Sequence, residues 1–418
     1  MAQYKKELPL KRITVIDLTR LIPGAFCTTI LADSGAKVIK VEETSVGDYE
    51  RQIGPFIGDF ASRFLILNRN KKSLALNLKN NSGREAFLKL VSQADVLIEG
   101  FRPGTMAKLK LDYENLKKLN HRLIYCSISS FGQDGPYKNV IAHDLNILGI
   151  AGLLSITGSK KGDPVIPGLQ IADTVAGMSA AIAILLSLIE RSISNRGRLI
   201  DISMLDSLFS LMFDSFRYIS AKENVPNMGE GRLWGGYPNY NIYKTSDEKY
   251  ITVAALETKF KNALLKKLGR EDLILDSDSL TSSNSSSKDK EIYDFLKAEF
   301  RKSTRDELME IFKELNICIG PVNKVNEAIN NSQLLYRNMI IKLLHPSDGE
   351  YFQIGSPFKS KPELCDVLQA PAPKLGEHSR EILKSIGYND KEINEFIKNK
   401  VIGENDSKLK QKRSLDEK

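Results

Sequence analysis

The stretch V-I-D-L-T-R-L-I-P-G-A-F-C, from Val15 to Cys27, sets the fold class: a short apolar run, a turn at Thr19–Arg20, and a segment that continues at helical spacing. The same alternation recurs downstream. β-rich runs stand at K-V-I-K-V-E from Lys37, D-V-L-I-E from Asp95 and L-I-Y-C-S-I from Leu123, and amphipathic stretches such as G-R-E-A-F-L-K-L-V-S from Gly83 lie between them. Strands that alternate with helical patterns predict an α/β fold, a Rossmann-like parallel sheet covered by helices. A nicotinamide cofactor would ask for three glycines in the first strand-to-helix turn. L-I-P-G-A-F offers Gly24 alone, which argues against a dinucleotide.

A chain of 418 residues with 42% hydrophobic content can bury a sizeable core and suggests two domains or one elaborated one. Cys27, Cys126, Cys318 and Cys365 are far apart, without Cys-x-x-Cys pairing, and read as reduced thiols in a cytoplasmic chain. No metal-ligand spacing is present. The most apolar run, Met178 to Ile189, reads as too short for a bilayer, so no membrane association is expected. The net charge of +8 suits an anionic ligand, although part of it sits in the tail K-L-K-Q-K-R from Lys408, read as solvated. Without a basic stripe interleaved with aromatics, nucleic acid is not an expected partner.

Two segments carry chemistry. I-A-H-D-L-N places His143 beside Asp144, and Q-I-A-D-T-V-A-G places Asp173 before a long run of small and apolar residues that reads as a buried helix. Asp173 is expected at or near the N-cap of that helix, where it is either an ordinary capping carboxylate or a catalytic one. His143 is likewise either a proton-transfer group or a histidine hydrogen-bonded in a turn. Only a fold that brings the two segments together makes them one site.

The chain from Lys11 to about Ile402 resembles the class III coenzyme A transferases and alpha-methylacyl-CoA racemases, the CaiB/BaiF type. The resemblance rests on an ordered series: the Val15 stretch, L-A-D-S-G-A-K-V-I-K-V-E from Leu31, N-R-N-K-K-S-L-A-L-N-L-K from Asn68, and A-D-V-L-I-E-G-F-R-P-G-T-M from Ala94. It continues through R-L-I-Y-C-S-I-S-S-F-G-Q-D-G-P-Y from Arg122 and the two acid–base segments to G-R-L-I-D-I-S-M-L-D-S from Gly197, V-A-A-L-E-T-K-F from Val253 and L-G-E-H-S-R-E-I-L from Leu375.

The resemblance implies a large Rossmann-like domain over residues 1–225, a linker and smaller α+β domain over 226–335, and a return to the large domain over 336–403; by composition the serine-rich run at 277–288 reads as a flexible surface loop, longer than the family's, and the tail over 404–418 as disordered. It also implies an interlocked homodimer and an acyl-CoA substrate, with no cofactor beyond that coenzyme A moiety. In both branches the aspartate matched by Asp173 is catalytic. A histidine followed by Asp and, two residues on, Asn marks the racemases, and His143, Asp144 and Asn146 reproduce it; Glu257 matches the glutamate that orients the racemase histidine.

The expected reaction is racemisation of a 2-methyl-branched acyl-CoA. One group removes the proton alpha to the thioester and the other returns a proton to the opposite face, with His143 neutral and Asp173 protonated at rest. The alternative is CoA transfer through an aspartyl-CoA thioester on Asp173. Coenzyme A contacts implied by the resemblance fall on Arg20, on Leu76, Asn77, Leu78 and Lys79, on Phe101, Arg102 and Lys108, and on Ala142, Asp144, Leu145, Asn146 and Ile147. Glu43 stands where racemases often carry an arginine, so either another base, such as Arg51, takes over or phosphate binding is weaker. Gly235-Gly236-Tyr237-Pro238 resembles the racemase linker more than the transferase glycine loop.

Overall fold

The computed structural model describes residues 7–274, 287–345, 349–361, 363–367 and 369–403. Ser277–Ser286 of the serine-rich run and the tail from Glu404 lie outside the described residues. The chain forms two compact units: residues up to Ile147, Gln170–Ser210 and those from Gln333 onward make the first, and Leu148–Leu169 with Leu211–Ser332 make the second. The second unit thus takes in Leu148–Leu169, between the two acid–base motifs, and its longer segment starts at Leu211, ahead of residue 226.

The first unit is built on a parallel sheet of six strands, β1 (Thr14–Asp17), β2 (Lys37–Glu42), β3 (Lys71–Ala75), β4 (Val96–Glu99), β5 (Ile124–Ser129) and β6 (Leu199–Ser203), in the order β3-β2-β1-β4-β5-β6. Helices cover both faces of such a sheet, so its strands are apolar on both sides, as in β4, where every residue is buried. The chain winds outward from β1 to β3, then returns to place β4 against the other side of β1. The segments leaving the carboxyl ends of β1 and β4 therefore diverge, and a crevice opens at this switch point.

Helix α1 (Leu21–Asp33) follows β1, and α2 (Asn81–Val91) and α3 (Tyr113–Leu119) form later crossovers. A short helix, α4 (Asp144–Ile150), precedes the long α5 (Ile171–Ser194). α5 packs on α1 through small residues: Ala172, Ala176, Ala180 and Ala181 are buried, and a Cβ at Gly177 would lie 2.5 Å from the Pro23 carbonyl oxygen. Contrary to the length argument from sequence, α5 is long and apolar enough to cross a bilayer by length and composition. The sequence reading stopped at Ile189, whereas the helix runs from Ile171 to Ser194 with its small-residue face against protein. From the C-terminal return, Ile382, Leu383, Ile393, Val401 and Ile402 join Leu74, Leu76, Phe87 and Leu90 in the main core.

The second unit is α+β. A three-stranded antiparallel sheet of β7 (Tyr240–Lys244), β8 (Tyr250–Ala254) and β9 (Ile319–Pro321), in the order β9-β8-β7, packs with α6 (Thr258–Lys267), α7 (Ser287–Phe300) and α8 (Arg305–Phe312) around Tyr243, Ile251, Leu264, Ile292, Phe300 and Leu308. Thr304 and Glu307 close a capping box at the start of α8. All four cysteines are free thiols, with Cys27 and Cys126 buried.

Candidate active site

A cavity of ≈ 480 Å³ opens at the switch point, bounded by Thr19 and Arg20 beyond β1, Phe101 and Arg102 beyond β4, Ser129–Phe131 at the end of β5, and His143 and Asp173. All of its walls belong to the first unit. Arg20, Arg102, Lys108 and Lys138 give it a cationic rim suited to phosphates. Buried Glu99, at the end of β4, accepts from the Phe101 amide at 2.8 Å and fixes that turn.

The two acid–base segments meet through Asp144. Its Oδ1 accepts from the amides of Ala172 at 2.7 Å and Asp173 at 3.2 Å, so it caps α5 from a distant segment. The expected capping role of Asp173 is thus filled by another carboxylate. Asp173 is instead the third residue of α5, half-buried with its side chain on the cavity. Ahead of it, Ser130 Oγ donates to the Ala142 carbonyl at 3.2 Å, and the His143 amide donates to Asn146 Oδ1 at 3.0 Å. His143 therefore sits at the start of α4 and Asp173 at the start of α5, with the histidine exposed.

Burial raises the Asp173 carboxyl to about 7, the Asp144 charge adds to the rise, and Arg63 opposes it ahead of a smaller upward push from Glu50. These upward influences outweigh the helix N-terminus, which favours the anion. The folded pKa stands above the unfolded one, so the associated stability is present below about pH 4 and is lost as pH rises through about 7. Asp173→Asn removes that loss. The variant is expected to melt above wild type at pH 8.5 with a gap that narrows at pH 4.5, and equal melting temperatures at pH 8.5 would contradict the raised pKa.

Beneath the cavity lies a polar cluster that the sequence reading missed. Lys40 Nζ, fully buried in β2, is 2.8 Å from both the Thr19 carbonyl and Asp48 Oδ2. Asp48 Oδ1 accepts from the Leu21 amide at 3.2 Å, and Leu21 holds φ 62°, a left-handed conformation unfavourable for a branched side chain. Gly24 follows for a related reason, since a Cβ there would lie 2.1 Å from Thr19 Oγ1. Lys71, also buried, donates to Thr28 Oγ1 at 2.7 Å, and desolvation pulls its pKa down to about 8. In β2, K-V-I-K-V-E, Lys40 and Glu42 are both buried although each is charged.

Residues 10–379 match the family described as CoA-transferase family III. The chain belongs to that family. It is 31% identical over 404 residues to the succinyl-CoA:glutarate CoA-transferase of Mus musculus, covering 96% of this chain and 92% of the relative. It is 35% identical over 400 residues to the alpha-methylacyl-CoA racemase of Mus musculus, covering 94% and 97%. Among solved structures, a CaiB/BaiF family protein from Brucella suis superposes with a TM-score of 0.79 at 30% identity, covering 91% of this chain and 100% of that one. The family III enzyme thus has relatives named for both reactions, and acyl-CoA substrates fit the family.

Of the residues expected to hold coenzyme A, Arg20, Phe101, Arg102, Lys108 and Ala142 line the cavity. Leu76, Asn77, Leu78 and Lys79 do not: Leu76 is core, bridging to Ile402, and the Asn77 amide donates to the Val401 carbonyl. Asp144 and Asn146 act on helix starts, Ile147 is buried and Leu145 exposed. Glu257 is an exposed residue of the second unit, just before α6. Arg51 does not replace the missing arginine at Glu43. It makes two 2.7 Å bonds to Glu42, lies 3.9 Å over the Phe64 ring and donates to the Pro373 carbonyl, so its guanidinium is committed within the fold.

Proposed function

We propose that this enzyme racemises 2-methyl-branched acyl-CoA thioesters. The observation that carries the reading is that His143 and Asp173 line one cavity, joined by Asp144 across two helix starts. One group takes the proton from the alpha carbon and the C–H electrons move into the thioester carbonyl as an enolate. The other group then gives its proton to the opposite face, and the roles exchange in the reverse direction. A carboxyl that titrates near neutrality serves as acid or base at similar cost. The cationic rim would hold the coenzyme A phosphates, and the chemistry asks for no further cofactor. The test is incubation with one enantiomer of a 2-methylacyl-CoA in deuterated water, where deuterium at the alpha carbon and decaying chirality are expected together.

A second reading draws on the transferases among the relatives. The Asp173 carboxylate would attack the thioester carbonyl and release CoA thiolate, which then attacks the aspartyl carbonyl to leave an aspartyl-CoA thioester and a free acid. Transfer of CoA to an added acid, with a covalent adduct on Asp173 and no alpha exchange, would replace the racemase reading by this one.

We also infer the interlocked homodimer. The solvent side of α5 carries Ile182, Leu186, Ile189 and Ile193, which are 57, 61, 64 and 85% exposed at helical spacing. A contiguous apolar stripe of this kind needs cover, and a second copy supplies a matching one. Leu186→Glu is expected to shift the light-scattering mass from twice the chain mass to the chain mass. A wild-type monomer would remove the inference.

A further inference from the structure

Ser130 lines the cavity one residue beyond the carboxyl end of β5, and its backbone is fixed there: its carbonyl accepts from the Leu205 amide, just after β6, at 3.1 Å. Beside it, Ser129 pairs with Ser203 of β6, and the Ser129 Oγ accepts from the Gly132 amide at 3.0 Å. The chain that follows is of another kind. Residues 134–141 are all exposed, and the amide bonds from Lys138 to the Gly135 carbonyl and from Val140 to the Tyr137 carbonyl close turns inside the segment without tying it to the sheet. At the far end of this excursion the Ser130 hydroxyl donates to the Ala142 carbonyl at 3.2 Å, from a rigid strand end to a mobile-looking wall of the cavity.

The Ala142 carbonyl and the His143 amide belong to one planar peptide unit. Ser130 holds that plane by its oxygen, and Asn146 Oδ1 holds it by its N–H at 3.0 Å. His143 is exposed, so packing does little to aim its imidazole, and the orientation of this peptide decides where the side chain leaves the backbone. Asp173 is secured by other means. Buried Ala172 and Ala176 seat α5 on α1, Gly177 lies against the Pro23 carbonyl, and Asp144 binds the Ala172 and Asp173 amides from beyond His143 in the chain.

We propose that Ser130 is a positioning residue for His143, supporting proton transfer on the face of the alpha carbon that the histidine serves and not on the face that Asp173 serves. The inference rests on the two-group proton-transfer reading of this cavity. The hydroxyl takes no part in bond making: it sets the direction of the imidazole, and a misplacement of about 1 Å at a reacting group costs up to about a hundredfold in rate.

The experiment follows deuterium entry at the alpha carbon of each enantiomer of 2-methylbutanoyl-CoA, incubated separately with the full chain in deuterated water. His143→Ala identifies the enantiomer that depends on the histidine. Ser130→Ala is expected to slow exchange of that enantiomer about tenfold and of the other by less than about twofold. Ser130→Thr keeps the hydroxyl and is expected to recover most of the lost rate. Ser130→Cys, a weaker donor of similar size, is expected to show the same asymmetry at smaller magnitude, and it takes the place of the alanine variant should that protein not fold. Slowing of both enantiomers alike, or of neither, overturns the inference, because general loosening of the fold or of the cavity carries no preference for one face. A wild-type protein that exchanges neither enantiomer overturns the proton-transfer reading and this inference with it; exchange of both by wild type followed by a symmetric loss in the variants overturns this inference alone.

Discussion

Asp173→Asn is expected to lower racemisation by about a thousandfold, within the usual range for losing a positioned acid–base group. The amide is close in size to the carboxyl and keeps a hydrogen-bonding group at the start of α5, so the loss reports proton transfer more than packing. His143→Ala is expected to lower racemisation by a similar factor. A two-group mechanism makes a finer statement, because each group serves one face of the alpha carbon. With His143 removed, Asp173 still takes the proton from the enantiomer it faces and can hand back a solvent deuteron to the same face. Deuterium then enters that enantiomer without inversion, while the other exchanges far more slowly. Asp173→Asn should show the reverse preference. Equal loss of exchange from both enantiomers in both variants would argue for a single base. Racemisation by His143→Ala at a substantial fraction of the wild-type rate would defeat the two-group model outright. Under the transferase reading His143→Ala retains CoA transfer and Asp173→Asn abolishes it, so the same two proteins separate the reactions.

The layered α/β architecture was legible because β1, β2, β4 and β5 are buried on both faces and announce themselves as apolar runs between polar turns. β3 hides behind Lys71, Lys72 and Ser73, and its place beside β2 follows from long-range pairing that local periodicity cannot encode. Asp144 shows the same limit at the site. Its type and its neighbour His143 can be read directly, but its bonds to Ala172 and Asp173 exist only because α4 and α5 begin side by side. Several coenzyme A contacts taken from the resemblance fall away from the cavity because adjacency along a strand does not fix which side chains reach a crevice: Leu76 turns into the core while Arg20 and Arg102, on the diverging loops, reach the rim. The buried ion pairs were missed because a lysine in a strand reads as exposed until its partner from another segment is known.

Lys40→Met is expected to destabilise the protein by about 3–5 kcal/mol, the usual cost of stranding one partner of a buried ion pair. Lys40 is fully buried and stands 2.8 Å from Asp48 Oδ2 and 4.0 Å from Asp17 Oδ2, and although desolvation works against its charge, Asp17, Asp48 and Glu42 drive its pKa well above the ordinary lysine value. A raised lysine pKa contributes stability that persists until pH passes the folded value, so the wild-type pair is intact throughout the neutral range. Methionine fills most of the stem volume, hence the expected deficit is electrostatic more than steric. It leaves Asp48 buried without its cation and the Thr19 carbonyl without its donor, which loosens the strained Leu21 turn on the cavity wall. Two readouts follow. Denaturant unfolding should show the stability loss, and the Lys40→Met/Asp48→Asn double variant should recover part of it by removing the stranded charge. At temperatures where the single variant is still folded, KM for acyl-CoA should rise more than kcat falls, because the displaced turn carries Arg20 and not His143 or Asp173. A stability loss no larger than that of an ordinary surface substitution would mean that water reaches the cluster and that the turn is held by other contacts; a fall in kcat without a change in KM would place the effect of Lys40 on the reacting groups instead of on substrate binding.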